Sequence, residues 1–109
     1  MKGDRLYLNH ILECIRRIEE YTKDGRASFL VIPLVQDGVL RNLQILAEST
    51  QRLSLECKAR CPDVPWVLIA GFRNILTHDY LGVDLESIWA IVETDVPALK
   101  SAIKNLKAD

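Results

Sequence analysis

Hydrophobic residues recur every three to four positions along most of the chain, whereas the alternation with period two that marks a half-buried strand is hard to find. This pattern predicts an all-α protein. The first helix is expected to start after Asp4, a favourable N-cap residue, and to end near Gly25. The second is expected from about Ser28 to Leu53, with Pro33 either in its first turns or at a kink.

The second half of the chain predicts two further helices. A Pro-Asp-Val-Pro segment breaks the pattern, and the third helix is expected from about Pro65 to Tyr80. Gly82 then provides a stop signal and Asp84 a cap for the fourth helix. Pro97 should kink or split that last helix, because proline removes a backbone donor and crowds the preceding turn.

Four amphipathic helices with short connections are typical of an antiparallel bundle. We therefore expect an all-α antiparallel bundle of four main helices in a single domain over residues 1–109, with residues 54–61 either extending the second helix or forming a short extra one. Each helix should contribute one apolar stripe to the core. The expected stripes are Leu8, Ile11, Leu12, Ile15 and Ile18; Leu34, Val35, Val39, Leu43, Leu46 and Ala47; Leu68, Ile69, Phe72, Ile75 and Leu76; Leu85, Ile88, Trp89, Val92, Val96, Leu99, Ile103 and Leu106.

Composition narrows the class of protein. The net charge is -1, whereas a dedicated nucleic-acid binder usually carries a basic surplus, so binding along an extended groove is disfavoured but a small basic cleft is not. No apolar run approaches the roughly 20 residues of a membrane span, and the polar start does not resemble a signal peptide. Cys14, Cys57 and Cys61 lack partners at zinc-ligand spacing. We expect a cytoplasmic protein with reduced cysteines, no metal and no cofactor.

Candidate chemistry is concentrated in the third helix. At about 100° per residue, the side opposite its apolar arc carries Arg73, Asn74, Thr77, His78 and Tyr80. An imidazole can take and give a proton near neutral pH, and a guanidinium can clamp phosphate oxygens. An amide can orient the imidazole or donate to phosphate. This set suits phosphodiester cleavage with a ribose 2′-hydroxyl as nucleophile, which needs no metal, although spacing alone also allows ordinary surface residues.

The order Arg73, four residues, His78, one residue, Tyr80 resembles the signature of HepT-like proteins in the HEPN superfamily. The similarity covers nearly the whole chain. Further matching segments are Gln36-Asp37, residues 39–48, Pro65-Trp66, residues 69–71, residues 82–84, Ile88-Trp89 and residues 95–99. The chain departs from the family pattern at Gly38 and Ala47, where alanine and glycine are usual, and at Ile32, where an acidic residue is common.

The resemblance implies a homodimer in which two motif helices face each other, so that Arg73 and His78 of both copies line one cleft. It implies catalysis by these two residues, with Asn74 and Thr77 contacting or orienting the substrate. The implied reaction is metal-independent cleavage of RNA, either tRNA or mRNA, by a toxin that arrests growth. The implied partner is a minimal nucleotidyltransferase antitoxin that can transfer AMP to Tyr80.

Two other functions remain open from the sequence. The chain could be a non-catalytic module that binds nucleotide, RNA or a protein partner, or a structural helical dimer without a ligand. Among other residues, His10 is expected at the surface or partly buried, and Trp66 and Trp89 are expected as core or interface residues. Glu48 is either an ion-pair partner of an arginine or part of the polar surface.

Overall fold

The structure, a computed structural model, describes residues 2–78 and 84–108, with the backbone alone at Lys2 and at residues 74–78. These residues are mostly helical and, over the ranges described, include no strand, which confirms the all-α prediction. The helices are α1 (Lys2–Tyr21), α2 (Arg26–Val31), α3 (Pro33–Gln51), α4 (Leu55–Ala59), α5 (Trp66–His78), α6 (Leu85–Ala90), a π-helical segment (Ile91–Asp95) and α7 (Val96–Ala108). The expected end of the third helix at Tyr80 and the stop at Gly82 lie outside the described residues.

The expected second helix is two helices. Ile32 has an extended backbone, with φ of -108° and ψ of 102°, between α2 and α3. Pro33 occupies the first turn of α3, where its missing N–H costs nothing. Because a proline disfavours helical geometry at the residue before it, the helix must break at Ile32. The prediction of one helix from Ser28 to Leu53 is therefore wrong, whereas the helical periodicity behind it is confirmed.

Asp4 is not the N-cap that the sequence predicts. It lies inside α1 and is buried. Its carboxylate accepts hydrogen bonds from the backbone N–H of Ser54 at 2.8 Å and from the Ser54 hydroxyl at 2.7 Å. The Ser54 hydroxyl in turn accepts from the Cys57 N–H at 3.0 Å, which caps α4 as a short separate helix. Asp4 thus joins the start of α1 to the start of α4.

Helix α3 lies at the centre of the fold and packs extensively against α1 and α5. Gly38 permits a close approach to α1, because a Cβ atom at this position would lie 2.9 Å from Cε2 of Tyr21. On the other side of α1, α7 packs against it, and Lys100 donates to Glu19 at 2.8 Å across this contact. The described helices therefore surround one core.

The last helix splits as expected. Asp84 caps α6 by accepting from the Glu86 N–H at 3.0 Å. Further along, the Val96 N–H donates to the carbonyl of Ile91 in the π-helical manner, just before Pro97, which has no N–H to continue the regular pattern. The π-helical segment joins α6 to α7 without a break, since Ala90 before it and Val96 after it both have helical backbone geometry.

The predicted core is largely confirmed. Predicted stripe residues that are buried are Leu8, Ile11, Ile15, Ile18, Val39, Leu43, Leu46, Ala47, Ile69, Phe72, Ile88, Val92, Val96, Leu99, Ile103 and Leu106. Two predicted core residues are wrong: Leu34 is 82% exposed at the start of α3, and Leu68 is 56% exposed on α5. The side chains of Ile75 and Leu76 lie outside the description.

We expect Asp4→Ala to lower the free energy of unfolding by about 2 kcal/mol, because it removes two hydrogen bonds to a charged acceptor. The donors on Ser54 lower the pKa of Asp4 below its ordinary value of 3.8. A lowered folded-state pKa stabilises the protein above the unfolded pKa, and this contribution is lost as the pH falls through the folded value. Denaturant titrations at pH 7 and at progressively lower pH should therefore show the difference between parent and variant shrinking below pH of about 4.

Asp24→Ala is the matched control, since Asp24 is exposed in the turn after α1. It should change the stability by less than about 0.5 kcal/mol. Equal stability losses in the two variants would contradict the proposed role of Asp4.

Candidate functional site

Helix α5 carries both residues of the predicted catalytic pair. Arg73 is exposed, and His78 is the last residue of the helix for which the structure describes the backbone, roughly 7.5 Å further along the axis. The side chains of Asn74, Thr77 and His78 lie outside the description, as does Tyr80 altogether. The structure therefore places Arg73 and the backbone of the motif from Arg73 to His78, and the roles of the five predicted site residues stay predictions.

The start of α5 is fixed by Trp66. Its indole N–H donates to the carbonyls of Lys58 and Cys61, both at 3.1 Å, at the end of α4 and in the turn that follows. Trp66 is partly buried against the core, as the sequence predicts. Together, these contacts determine the direction in which α5 leaves the connection from α4.

The middle of α5 is held by the core. Ile69 and Phe72 are buried against the packed helices. Arg73 follows Ile69 by four positions and therefore lies at the edge of this buried face, at the boundary with solvent. The guanidinium consequently comes from a rigid, supported helix rather than from a loop, which suits a group that must meet a phosphate in a fixed geometry.

A largely apolar groove of about 520 Å³ leads toward the motif. It lies between the end of α3, helix α4 and the first turns of α5. Its lining comprises Gln51, Leu55, Lys58, Ala59, Trp66, Val67 and Ala70. Leu55 is 85% and Val67 89% exposed, although both are large hydrophobic residues. Since Arg73 follows Ala70 by three positions, it continues the same helical row beyond the groove.

This groove is not among the features predicted from the sequence. Leu55 directly follows the Ser54 cap, and Val67 lies off the apolar arc expected for the third helix, so both residues could have been identified as hydrophobic positions without a place in the core. Exposed apolar side chains that adjoin one another often mark a surface where another molecule binds.

A second cavity, of about 370 Å³, lies between the connection from α4 to α5 and helix α7. Its charged and amide lining is provided by Arg60, Asp63, Asp95 and Asn105. None of the described residues that line it is a histidine, the side chain that ordinarily exchanges a proton near neutral pH. The motif face of α5 is the better candidate for acid–base chemistry.

The remaining candidate residues have structural or surface roles. His10 is exposed and its ring lies beside that of Tyr7. The ring of Trp89 packs against that of Phe29, with centroids 5.5 Å apart, as expected for a core or interface residue. Glu48 is exposed, and the ion pairs found in the described part of the chain do not include it.

The cysteines also behave as structural residues. Cys14 and Cys57 are buried free thiols, and burial raises the pKa of each. Cys61 is a partly exposed free thiol. Among the side chains described, no three His, Cys, Asp or Glu residues are grouped so that they could hold a metal ion. The helices described are also too short or too polar to cross a membrane.

Comparisons with known proteins agree on one family. A family model described as ribonuclease HepT-like matches residues 11–106. The chain is 42% identical over 103 residues to a Methanocaldococcus jannaschii protein named as a gamma-glutamylcyclotransferase and, provisionally, an RNase; the match covers 94% of this chain but only 46% of that protein. It is 35% identical over 102 residues to a Thermococcus cleftensis protein named as a probable ribonuclease HepT, with 93% of each chain covered.

A Caldanaerobacter subterraneus protein, provisionally named as an RNase, is 35% identical over 107 residues, with 97% of this chain and 96% of that protein covered. No solved structure matches the chain at a significant level. The family match includes both Arg73 and His78 and nearly all of the helices that form the core. The chain therefore belongs to the HepT-like ribonuclease family.

Proposed function

We propose that the chain is the toxin of a toxin–antitoxin pair and cleaves RNA, without a metal ion, at a cleft formed by two copies of the protein in the cytoplasm. The observation that carries this proposal is the position of Arg73, exposed on a supported helix that also includes His78, in a member of a ribonuclease family. RNA is the substrate class because this chemistry uses the 2′-hydroxyl that DNA lacks.

In the proposed reaction, an imidazole of His78 takes the proton from the ribose 2′-hydroxyl. The 2′-oxygen forms a bond to phosphorus, and the bond from phosphorus to the 5′-oxygen breaks. The same imidazole, now protonated, gives this proton to the leaving 5′-oxygen, so that a cyclic phosphate and a free 5′-hydroxyl result. Arg73 stabilises the charge that develops on the non-bridging phosphate oxygens. Asn74 and Thr77 orient His78 or donate to phosphate.

A second copy is proposed to cover the apolar groove beside the motif. Leu55 and Val67 are more than four-fifths exposed, at 85% and 89%, which is unfavourable for side chains of this size in water. A two-fold contact would bury them and would bring a second Arg73 into the cleft. This doubling supplies local positive charge in a chain whose net charge is -1.

The proposed antitoxin is a minimal nucleotidyltransferase that transfers AMP to Tyr80. Tyr80 follows His78 by two positions in the motif. A phosphate added there would bring negative charge to the place where RNA phosphate must bind. The modified toxin would therefore repel RNA, and the added phosphate would form an ion pair with Arg73.

We expect His78→Ala to reduce RNA cleavage by a factor of about 100 or more, because the variant loses its proton carrier. The matched control is His10→Ala, which changes an exposed histidine on α1. Both variants should be expressed and purified with the parent, compared by circular dichroism and incubated with labelled RNA in the presence of EDTA. Cleavage by His78→Ala at the parental rate would rule out this mechanism.

Val67→Asp should weaken self-association by at least about 30-fold, since it places a charge in the proposed contact. Leu34→Asp is the matched control: Leu34 is also the second residue of its helix and is 82% exposed, but it lies outside the groove. An acidic residue near a helix N-terminus is favourable, so neither variant should unfold. Sedimentation equilibrium measures the dimer fraction; a Val67→Asp protein that stays as dimeric as Leu34→Asp would place the contact elsewhere.

A further inference from the structure

The polar flank of α3 continues the groove toward the motif. Gln51 lines the groove together with Ala70 of α5. Gln44 precedes Gln51 by seven residues, close to two full turns, and therefore lies on the same row of α3. The Arg41 guanidinium donates through Nη1 to Oε1 of Gln44 at 3.1 Å, so Arg41 lies on this flank as well.

The direction of α5 brings this flank beside the motif. Helix α5 starts next to the end of α3, as the shared groove shows, and the two helices pack extensively, so α5 must run back along α3 in the antiparallel sense. From Gln51 to Gln44 the distance along α3 is roughly 10 Å. The same distance along α5, counted from Ala70, passes Arg73 and approaches His78. Arg41 and Gln44 therefore lie beside the half of α5 that carries the motif.

The charge of Arg41 is held differently from that of the cations that form ion pairs. Arg16, Arg17, Lys23, Arg26 and Lys100 each pair with a carboxylate. The contact found for Arg41 within the described ranges is instead to a neutral amide oxygen. This bond uses one of the five N–H groups of the guanidinium and orients it. Because the acceptor is a neutral amide, the bond does not neutralise the charge of Arg41. Such a group is suited to bind phosphate.

We propose that Arg41 binds an RNA phosphate next to the one that is cleaved, and that Gln44 positions its guanidinium for this contact. The proposal rests on the proposed ribonuclease function and adds a second substrate-binding cation, contributed by α3, to Arg73 on α5. In a dimer, the two copies of Arg41 would extend the positive region along the cleft.

The test measures binding of a labelled single-stranded RNA of 20 nucleotides to His78→Ala protein, which leaves the RNA uncut, at several salt concentrations. Adding Arg41→Gln should weaken binding about tenfold, as expected when a charged hydrogen bond is removed. It should also reduce the slope of log affinity against log salt by about 0.7 for each phosphate that the variant no longer neutralises. Arg41→Lys should retain the slope but bind more weakly than the parent. The matched control is Arg16→Gln, which makes the same change of charge on α1 and should leave affinity and slope unchanged.

In the His78 wild-type background, Arg41→Gln should raise KM for RNA while kcat stays within about twofold, because Arg41 acts at a distance from the breaking bond. An Arg41→Gln protein with parental affinity and salt slope would overturn this inference while leaving the ribonuclease function intact. A wild-type protein that neither binds nor cleaves RNA would overturn both.

Discussion

The direction of the motif helix depends on how one side chain holds its first turn. The Trp66 indole donates to the carbonyls of Lys58 and Cys61, which lie at and after the end of α4. Both carbonyls also accept a backbone N–H in this turn, from Cys61 and Val64 respectively, so the indole adds a side-chain hydrogen bond that fixes where α5 begins. Because α5 then packs along α3, Arg73 is carried by a helix that is supported at its start and along its length.

The proposed substrate contacts would allow a chain without a basic surplus to act on RNA. Several surface cations are neutralised by carboxylates, as in the pairs of Arg16 with Glu13 and of Lys100 with Glu19. The cations proposed to bind substrate, Arg41 and Arg73, come instead from the two neighbouring helices α3 and α5. An apolar groove next to them offers a contact for a second copy, and two-fold pairing would concentrate positive charge in one cleft while the net charge of each copy stays at -1.

Local patterns in the sequence predict most of the helices and most of the core, but not the contacts between distant residues. The hydrogen bonds that Asp4 accepts from Ser54 join positions fifty apart. The local pattern contains no sign of them and therefore predicts Asp4 as an N-cap. The helix predicted from Ser28 to Leu53 is interrupted at Ile32, because the following proline disfavours helical geometry there. Hydrophobic periodicity also cannot distinguish a buried position from an exposed one in the first turn of a helix, so it places Leu34 in the core although this side chain is 82% exposed. Val67 lies off the apolar arc of its helix, and periodicity therefore assigns it no contact.

The most direct test of a cleft shared by two copies is complementation between inactive variants. Arg73→Ala and His78→Ala proteins, each inactive alone, would be mixed under conditions that allow subunit exchange and assayed for RNA cleavage in EDTA. The account predicts that the mixture regains cleavage, because a mixed dimer retains one Arg73 and one His78 in the same cleft. A mixture that exchanges subunits but stays inactive, while wild-type protein cleaves under the same conditions, would contradict a shared cleft and place the complete site within a single copy.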